Sequence, residues 1–164
     1  MPEGTERRAA ERRFLRRAVE LAAENVQSGK GGPFGAVIVS GGRILAEGTN
    51  LVTWAEDPTA HAEIVAIRRA CRRRRRFHLQ GCEIYTSCEP CPMCLGAIYW
   101  ARLDRIYYAA SREDAAAAGF QDADLYRELG LAIEERRIPM VQMMRAEGRK
   151  AFRAWKDSVT KVEY

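Results

Sequence analysis

Two short motifs carry the residues whose types and spacing suit chemistry. His61 and Glu63 are separated by one residue, and Cys91 and Cys94 form a Cys-x-x-Cys pair directly after Pro90. One histidine and two cysteines supply three ligands for zinc, which prefers four. The open fourth position can hold a water, whose pKa zinc lowers from about 16 to about 7. The pattern therefore predicts a catalytic Zn2+ site with His61, Cys91 and Cys94 as ligands.

Glu63 lies beside the first ligand without being needed as one. Hydroxide attack on an amidine-type ring carbon gives a tetrahedral species that must expel ammonia, so a proton has to reach the leaving nitrogen. We expect Glu63 to carry that proton, first as general base and then as general acid. The whole pattern, His-x-Glu followed by Pro-Cys-x-x-Cys, resembles the signature of zinc-dependent nucleobase deaminases.

The two motifs set a geometric condition on the fold. Both fall at predicted helix starts, where unpaired N–H groups and the positive end of the helix dipole favour thiolates. His61 and Glu63, however, would diverge by about 200° inside a regular helix. Both side chains can reach one metal only if His61 lies at the irregular end of that helix.

Periodicity and turn residues predict one α/β domain spanning residues 1–164. We expect a three-layer α/β/α fold, with one mixed, about five-stranded sheet and helices on both faces. Pro92 suits the first turn of a helix, and Ser111 can cap the stretch through Ala118, which Gly119 ends. Helices are expected near 5–28, 60–76, 92–101 and 149–160, a hairpin at 36–39 and 43–47, a loop at 50–59, strands at 82–87 and 105–109, and a strand or irregular segment at 139–144.

Composition places the chain among ordinary globular proteins, since 47% of its 164 residues are hydrophobic and 30% are charged. No apolar stretch approaches the roughly 20 residues needed to cross a membrane. The arginines near the N-terminus are interleaved with acids, unlike a transit peptide, and no export signal is recognisable. Five cysteines, an odd number, favour metal binding over a disulfide framework. We therefore expect a cytoplasmic protein.

The positive charge is concentrated at one place. The net charge is +5, and without the seven arginines at 68, 69 and 72–76 it would be −2. Such a run can bind RNA, but it can equally be the solvated end of a helix, where cations complement the dipole. We favour the second interpretation and regard a nucleic-acid partner as unlikely.

The chain resembles bacterial guanine deaminases of the cytidine deaminase-like superfamily over nearly all of its length from Phe14 onward. The substrate inference depends on Trp100, Asp122 and Tyr164. The matching segments are GGPFGAV at 31–37, DPTAHAE at 57–63, YTSCEPCPMCLGAIYWA at 85–101, AGF at 118–120 and the terminal Glu163-Tyr164.

The resemblance implies hydrolytic deamination of guanine, with one zinc per subunit. It assigns the polar contacts to the purine to Asn50, Asp122 and Tyr164, and the aromatic surroundings to Phe34 and Trp100. From the residues alone, Asn50 could be a turn residue, Asp122 a helix cap, and the two aromatics plain core. The family also exchanges C-terminal segments within a homodimer, here about 138–164, which would bring Tyr164 to the partner's site.

Three other functions remain open from the sequence. The first is deamination of another small base, nucleoside or amino-triazine, and the second is deamination of tRNA adenosine, which would make use of the arginine run. The third is a non-catalytic, zinc-stabilised module, against which the three-ligand pattern and Glu63 argue.

Overall fold

The computed structural model describes the backbone of residues 2–164 and the side chains of residues 6–121 and 123–164. One 3-10 turn, Ile133–Glu135, lies between the last two helices. The helices are α1 Pro2–Ser28, α2 Val52–Ala55, α3 Ala62–Arg74, α4 Pro92–Trp100, α5 Arg112–Ala117, α6 Asp122–Gly130 and α7 Arg145–Asp157; the strands are β1 Gly35–Ser40, β2 Arg43–Thr49, β3 Cys82–Cys88 and β4 Arg105–Ala110.

The four strands form one mixed sheet in the order β2-β1-β3-β4. β1 is antiparallel to β2 and to β3, whereas β3 and β4 are parallel. The sheet thus has four strands rather than the expected five or so. Residues 139–144 supply no strand in the described chain, because Pro139 lacks a donor and the segment lies exposed without a neighbouring strand.

The alternation of side chains along β1 divides the core into two layers. Ala36 and Ile38 face α3 and α4, while Val37 and Val39 face α1. Phe14 of α1 packs on the fully buried Tyr85 of β3, with ring centroids 5.3 Å apart. The expected three-layer α/β/α arrangement is confirmed, and α1 lies on the face opposite to α3 and α4.

A close approach between β2 and α3 fixes the start of that helix. Gly48 lies on β2 directly against the first turn of α3, so that a Cβ there would clash with the carbonyl oxygen of Ala62 and the backbone nitrogen of Ala66. Glycine therefore allows the helix that follows His61 to pack directly on the sheet.

Several element boundaries differ from the expectations. α2 interrupts the segment expected to be a loop, and α6 was not predicted, since its nine residues are too few to show a clear period. Ser111 caps α5 with a full capping box, as expected. No helix within the described residues has the length and apolarity to cross a membrane.

Candidate metal centre and its cavity

Two helix starts bring the predicted ligands together. His61 is the N-cap of α3, with φ −64° and ψ 157°, and Cys91 is the N-cap of α4, with φ −66° and ψ 167°. Both residues have extended backbones, so their side chains are not bound to the helical period. The spacing of His61 and Glu63 required His61 to lie at the irregular end of its helix. This condition is met, because His61 is the N-cap of α3.

The distances fit a tetrahedral zinc ion. Nδ1 of His61 lies 3.6 Å from Sγ of Cys91 and 3.5 Å from Sγ of Cys94, and the three donor atoms all lie within 4.8 Å of one another. Bonds of about 2.0 Å to nitrogen and 2.3 Å to sulfur at tetrahedral angles place such atoms about 3.5 Å apart. The donor set therefore fits zinc in size and in chemistry, and leaves a fourth position for another ligand.

The two thiols also have the protonation chemistry that a metal requires. A hydrogen bond with Cys94, opposed by burial and aided by His61, lowers the pKa of Cys91 to about 4. The same hydrogen bond raises the pKa of Cys94, and burial raises it further. Cys91 thus favours the thiolate, which is the form that binds metal, whereas Cys94 would lose its proton when a metal binds.

Glu63 lies in the first turn of α3, and its residue is only 8% exposed. Desolvation raises the pKa of its carboxyl group to about 7, with a smaller contribution from the charge of Cys91. Glu63 lines the same cavity as His61 and Cys91. A carboxyl group with this environment is suited to exchange protons near neutral pH.

The cavity beside the ligands has a volume of about 420 Å³. Phe34 and Phe120 form one wall, in an edge-to-face contact with ring centroids 4.8 Å apart. Polar groups occur among the remaining walls, a mixture typical of sites for small flat ligands. The lining residues are Gly32, Phe34, Asn50, Val52, Thr53, His61, Glu63, Glu89, Cys91, Phe120, Gln121, Asp124, Leu125 and Arg137.

Asn50 is a buried residue of this cavity, held from two sides. Its side-chain Oδ1 accepts a hydrogen bond from the N–H of Val52 at 3.2 Å, and its backbone carbonyl accepts one from the Asn25 side chain at 2.8 Å. Since Oδ1 is used locally, the NH2 group is the part of Asn50 that offers donors to a ligand.

The structure does not bring all the predicted substrate residues to this cavity. Phe34 and Asn50 line it, whereas Trp100 and Tyr164 lie elsewhere, at an apolar hollow between α3 and α4. Their ring centroids are 5.8 Å apart and both side chains are largely exposed. Asp122 is the first residue of α6, but its side chain lies outside the described residues.

Nine of the lining residues were not singled out from the sequence as site residues, and four of them bring an aromatic ring or a charge to the cavity. Phe120 follows Gly119, whose φ of 95° turns the chain back toward Phe34. Glu89, Asp124 and Arg137 carry charge to the cavity. Only Phe120 had a sequence signal, the turn glycine before it, since charged residues in short loops are common without a ligand.

The arginine run has a role that neither interpretation of the sequence included. Arg69 donates to the carbonyl oxygen of Glu47 at 3.0 Å, and Arg73 donates to that of Leu45. Arg74 donates to Gln80 O at 3.1 Å and to the hydroxyl of Ser40. These side chains fasten α3 to β2 at the open edge of the sheet, to the end of β1 and to the segment before β3.

Comparison with known proteins agrees with this site. Residues 8–110 match the family model of the cytidine and deoxycytidylate deaminase zinc-binding region. The guanine deaminase of Bacillus subtilis (strain 168) is 56% identical over 151 residues, 92% of this chain and 97% of that protein. An X-ray structure of guanine deaminase from Bacillus subtilis has a TM-score of 0.91 at 55% identity, covering 93% of this chain and 98% of the other.

A tRNA-specific adenosine deaminase from Aquifex aeolicus is also similar, with 41% identity over 97 residues, 59% of this chain and 64% of that protein. That match spans much less of the chain than the match to guanine deaminase does. The chain thus belongs to the cytidine and deoxycytidylate deaminase family of zinc enzymes, and within it resembles bacterial guanine deaminase over 92% of its length.

Proposed function

We propose that this protein is a zinc-dependent aminohydrolase that converts guanine and water to xanthine and ammonia. The observation that carries the proposal is the open His61, Cys91 and Cys94 ligand set with Glu63 on the wall of the same cavity. The similarity to the Bacillus subtilis guanine deaminase supports guanine as the substrate.

Zinc, when bound, supplies a water of lowered pKa. His61, Cys91 and Cys94 would hold the zinc, and Glu63 would accept a proton at its carboxylate as a water oxygen bonds to C2 of guanine. Glu63 then gives a proton to the amino nitrogen on C2, so that the C2–N bond breaks and ammonia leaves. The burial of Glu63 keeps bulk water from competing for these protons.

The cavity walls suit a flat purine. Phe34 and Phe120 offer aromatic surfaces for stacking, and the NH2 group of Asn50 offers donors to the carbonyl oxygen of guanine. In our proposal Asp122 accepts from the N–H edge of the base, while Trp100 and Tyr164 complete the enclosure. Both lie outside this chain's cavity. Of the two, only Tyr164 belongs to the C-terminal segment, and we assign Tyr164 to the site of a second subunit.

A homodimer that exchanges residues of about 138–164 would place Tyr164 there. Every residue of α7 is described and none is buried, although the helix carries Phe152 and Trp155. Ile138 and Val141 are also exposed. Large apolar patches on monomeric proteins are rare, and a second copy of the same chain would cover these side chains.

The substrate is tested by measuring ammonia release from zinc-loaded protein on guanine, guanosine, cytidine, cytosine and tRNA side by side. Turnover of guanine alone supports the proposal. Turnover of another small compound would support the proposed zinc chemistry but would show that guanine is not the substrate. Deamination of tRNA, with affinity falling steeply as salt rises, would favour the nucleic-acid alternative. Absence of all turnover with zinc bound would favour a non-catalytic module.

The exchange is tested by mixing two inactive variants, Glu63→Gln and a truncation that removes Tyr164. If Tyr164 acts in the partner's site, a mixed dimer contains one site with an intact Glu63 and an intact tail, and activity returns on mixing and re-association. If the tail folds back on its own subunit, neither subunit has a complete site and the mixture stays inactive.

We also propose the cytoplasm as the location of the protein. Its five cysteines are all free thiols in the structure, which fits a reducing compartment. Cell fractionation with an antibody would test this, and recovery from an oxidising compartment would contradict it.

A further inference from the structure

The hydroxyl of Tyr126 is bonded to the residue that precedes a metal ligand. Tyr126 lies on α6, and its hydroxyl donates to the carbonyl oxygen of Pro90 at 2.7 Å. Pro90 and Cys91 share a peptide unit, which is planar, so fixing the Pro90 carbonyl also fixes the plane from which the Cys91 backbone departs.

The residue before Pro90 is held from the same side. Arg112 lies in α5, and its backbone N–H donates to one carboxylate oxygen of Glu89 at 3.2 Å while its guanidinium lies 3.7 Å from the other. The same guanidinium lies 4.7 Å from the centre of the Tyr126 ring, in a cation–π contact. Arg112 thereby links Glu89 to Tyr126. Its contact with the ring orients the Tyr126 side chain, whose hydroxyl donates to Pro90.

This arrangement joins the metal side of the site to the substrate side. Residues of α6, Asp124 and Leu125, line the cavity, and so does Glu89. The loop that carries Cys91 is therefore tied to the cavity wall by a hydrogen bond and an ion pair.

We propose that Tyr126 is a positioning residue for the metal centre, which orients Cys91 through the Pro90 carbonyl and is itself oriented by Arg112. This role rests on the zinc site of the proposed function, and through it α6 supports the position of a metal ligand. Groups that orient metal ligands affect metal affinity by about 10–100-fold when removed.

The experiment compares Tyr126→Phe with Tyr107→Phe in the full-length protein. Tyr107 also donates a short hydrogen bond, to Glu11 at 2.8 Å, but it lies on the α1 side of the sheet. Each variant loses one tyrosine hydroxyl and the hydrogen bond that it donates. Zinc affinity is measured by competition with a chelator, ligand geometry by the absorption bands of the cobalt-substituted protein, and unfolding by denaturant.

We expect Tyr126→Phe to weaken zinc binding about 10-fold or more and to alter the cobalt spectrum, while Tyr107→Phe changes neither. Equal zinc affinity in Tyr126→Phe and the parent protein would overturn the proposal, as would an equal loss in both variants. If Tyr126→Phe fails to fold, Arg112→Gln, at a half-exposed residue, should weaken zinc binding in the same direction. A parent protein that neither binds zinc nor deaminates guanine would instead refute the proposed function.

Discussion

Glu63 and the three ligands differ in what their side chains must do, although they meet within a few ångströms. The ligands have to hold one charge state, and two helix N-termini together with mutual hydrogen bonding serve that need. Glu63 has to change its charge state during each turnover, which is why its burial matters more than its proximity to the metal.

At this scale we predict that Glu63→Gln keeps zinc and loses activity. The amide has nearly the shape of the carboxyl group but can neither take nor give the proton, so kcat should fall by about 100-fold or more. Zinc content and steady-state rates measure the two properties, with the exposed Glu56→Gln as control. Near-normal turnover of a zinc-loaded Glu63→Gln protein would remove Glu63 from the proton path.

Helix α3 is the element on which the site depends most, since its N-cap is a ligand and its first turn carries Glu63. Gly48 sets its distance from the sheet at one end, and Arg69 and Arg73 fasten it to the sheet edge further along. The helix is thus fixed by contacts to residues that lie before it in the chain.

We expect Gly48→Ala to destabilise the protein by about 1–3 kcal/mol, because the added methyl group clashes with the α3 backbone. Gly96→Ala in α4 is the matched change, since a Cβ there meets no atom within 4 Å, and alanine in a helix stabilises by about 0.5–1 kcal/mol. Denaturant unfolding measures both. Equal stability of the two variants would show that β2 and α3 can separate without cost.

The end of α3 offers a test in the opposite direction. Arg75 is the C-cap at φ 52°, a left-handed conformation that favours glycine. Arg75→Gly should therefore stabilise the protein by up to about 1 kcal/mol, whereas Arg72→Gly, inside the helix, should destabilise it by about 1 kcal/mol. A loss of stability in both variants would mean that the Arg75 side chain contributes more than its backbone strain costs.

At the scale of the whole molecule, the chain divides into a packed α/β/α body and a C-terminal part with little support of its own. The buried residues of the two core clusters lie within residues 14–101, and the apolar side chains beyond 131 are exposed. The exposed apolar side chains of the C-terminal part require a partner surface, which in our proposal is a second copy of the chain.

Replacement of Phe152 by glutamate should shift a dimer toward monomers and lower guanine turnover in proportion. Phe152 is 77% exposed on α7, and a buried unpaired charge at an interface is costly. Val26→Glu is the control, at an apolar residue 53% exposed on α1. Sedimentation measures the mass against the monomer's 18.5 kDa. A dimer unaffected by the glutamate would exclude α7 from the interface.

The sequence alone was enough to predict the chemistry and the main elements. His61, Glu63, Cys91 and Cys94 were identified from residue type and spacing, because zinc chemistry restricts its ligands to few kinds of side chain. Alternating and helical periods of apolar residues predicted the hairpin, the strands and the longer helices. The reason is again local, since each period can be read within a single segment of the sequence. The nine-residue α6 escaped this reasoning because it is shorter than the window a period needs.

Tertiary structure decided which distant residues meet. It placed Phe34, Asn50 and Phe120 beside the metal ligands, kept Trp100 and Tyr164 of the same chain apart from them, and brought Tyr126 to Pro90. It also limited the sheet to four strands, because a strand requires a partner and residues 139–144 have none in the described chain. Such meetings depend on how helices and loops pack across the sheet, a property of the whole chain that no short segment contains.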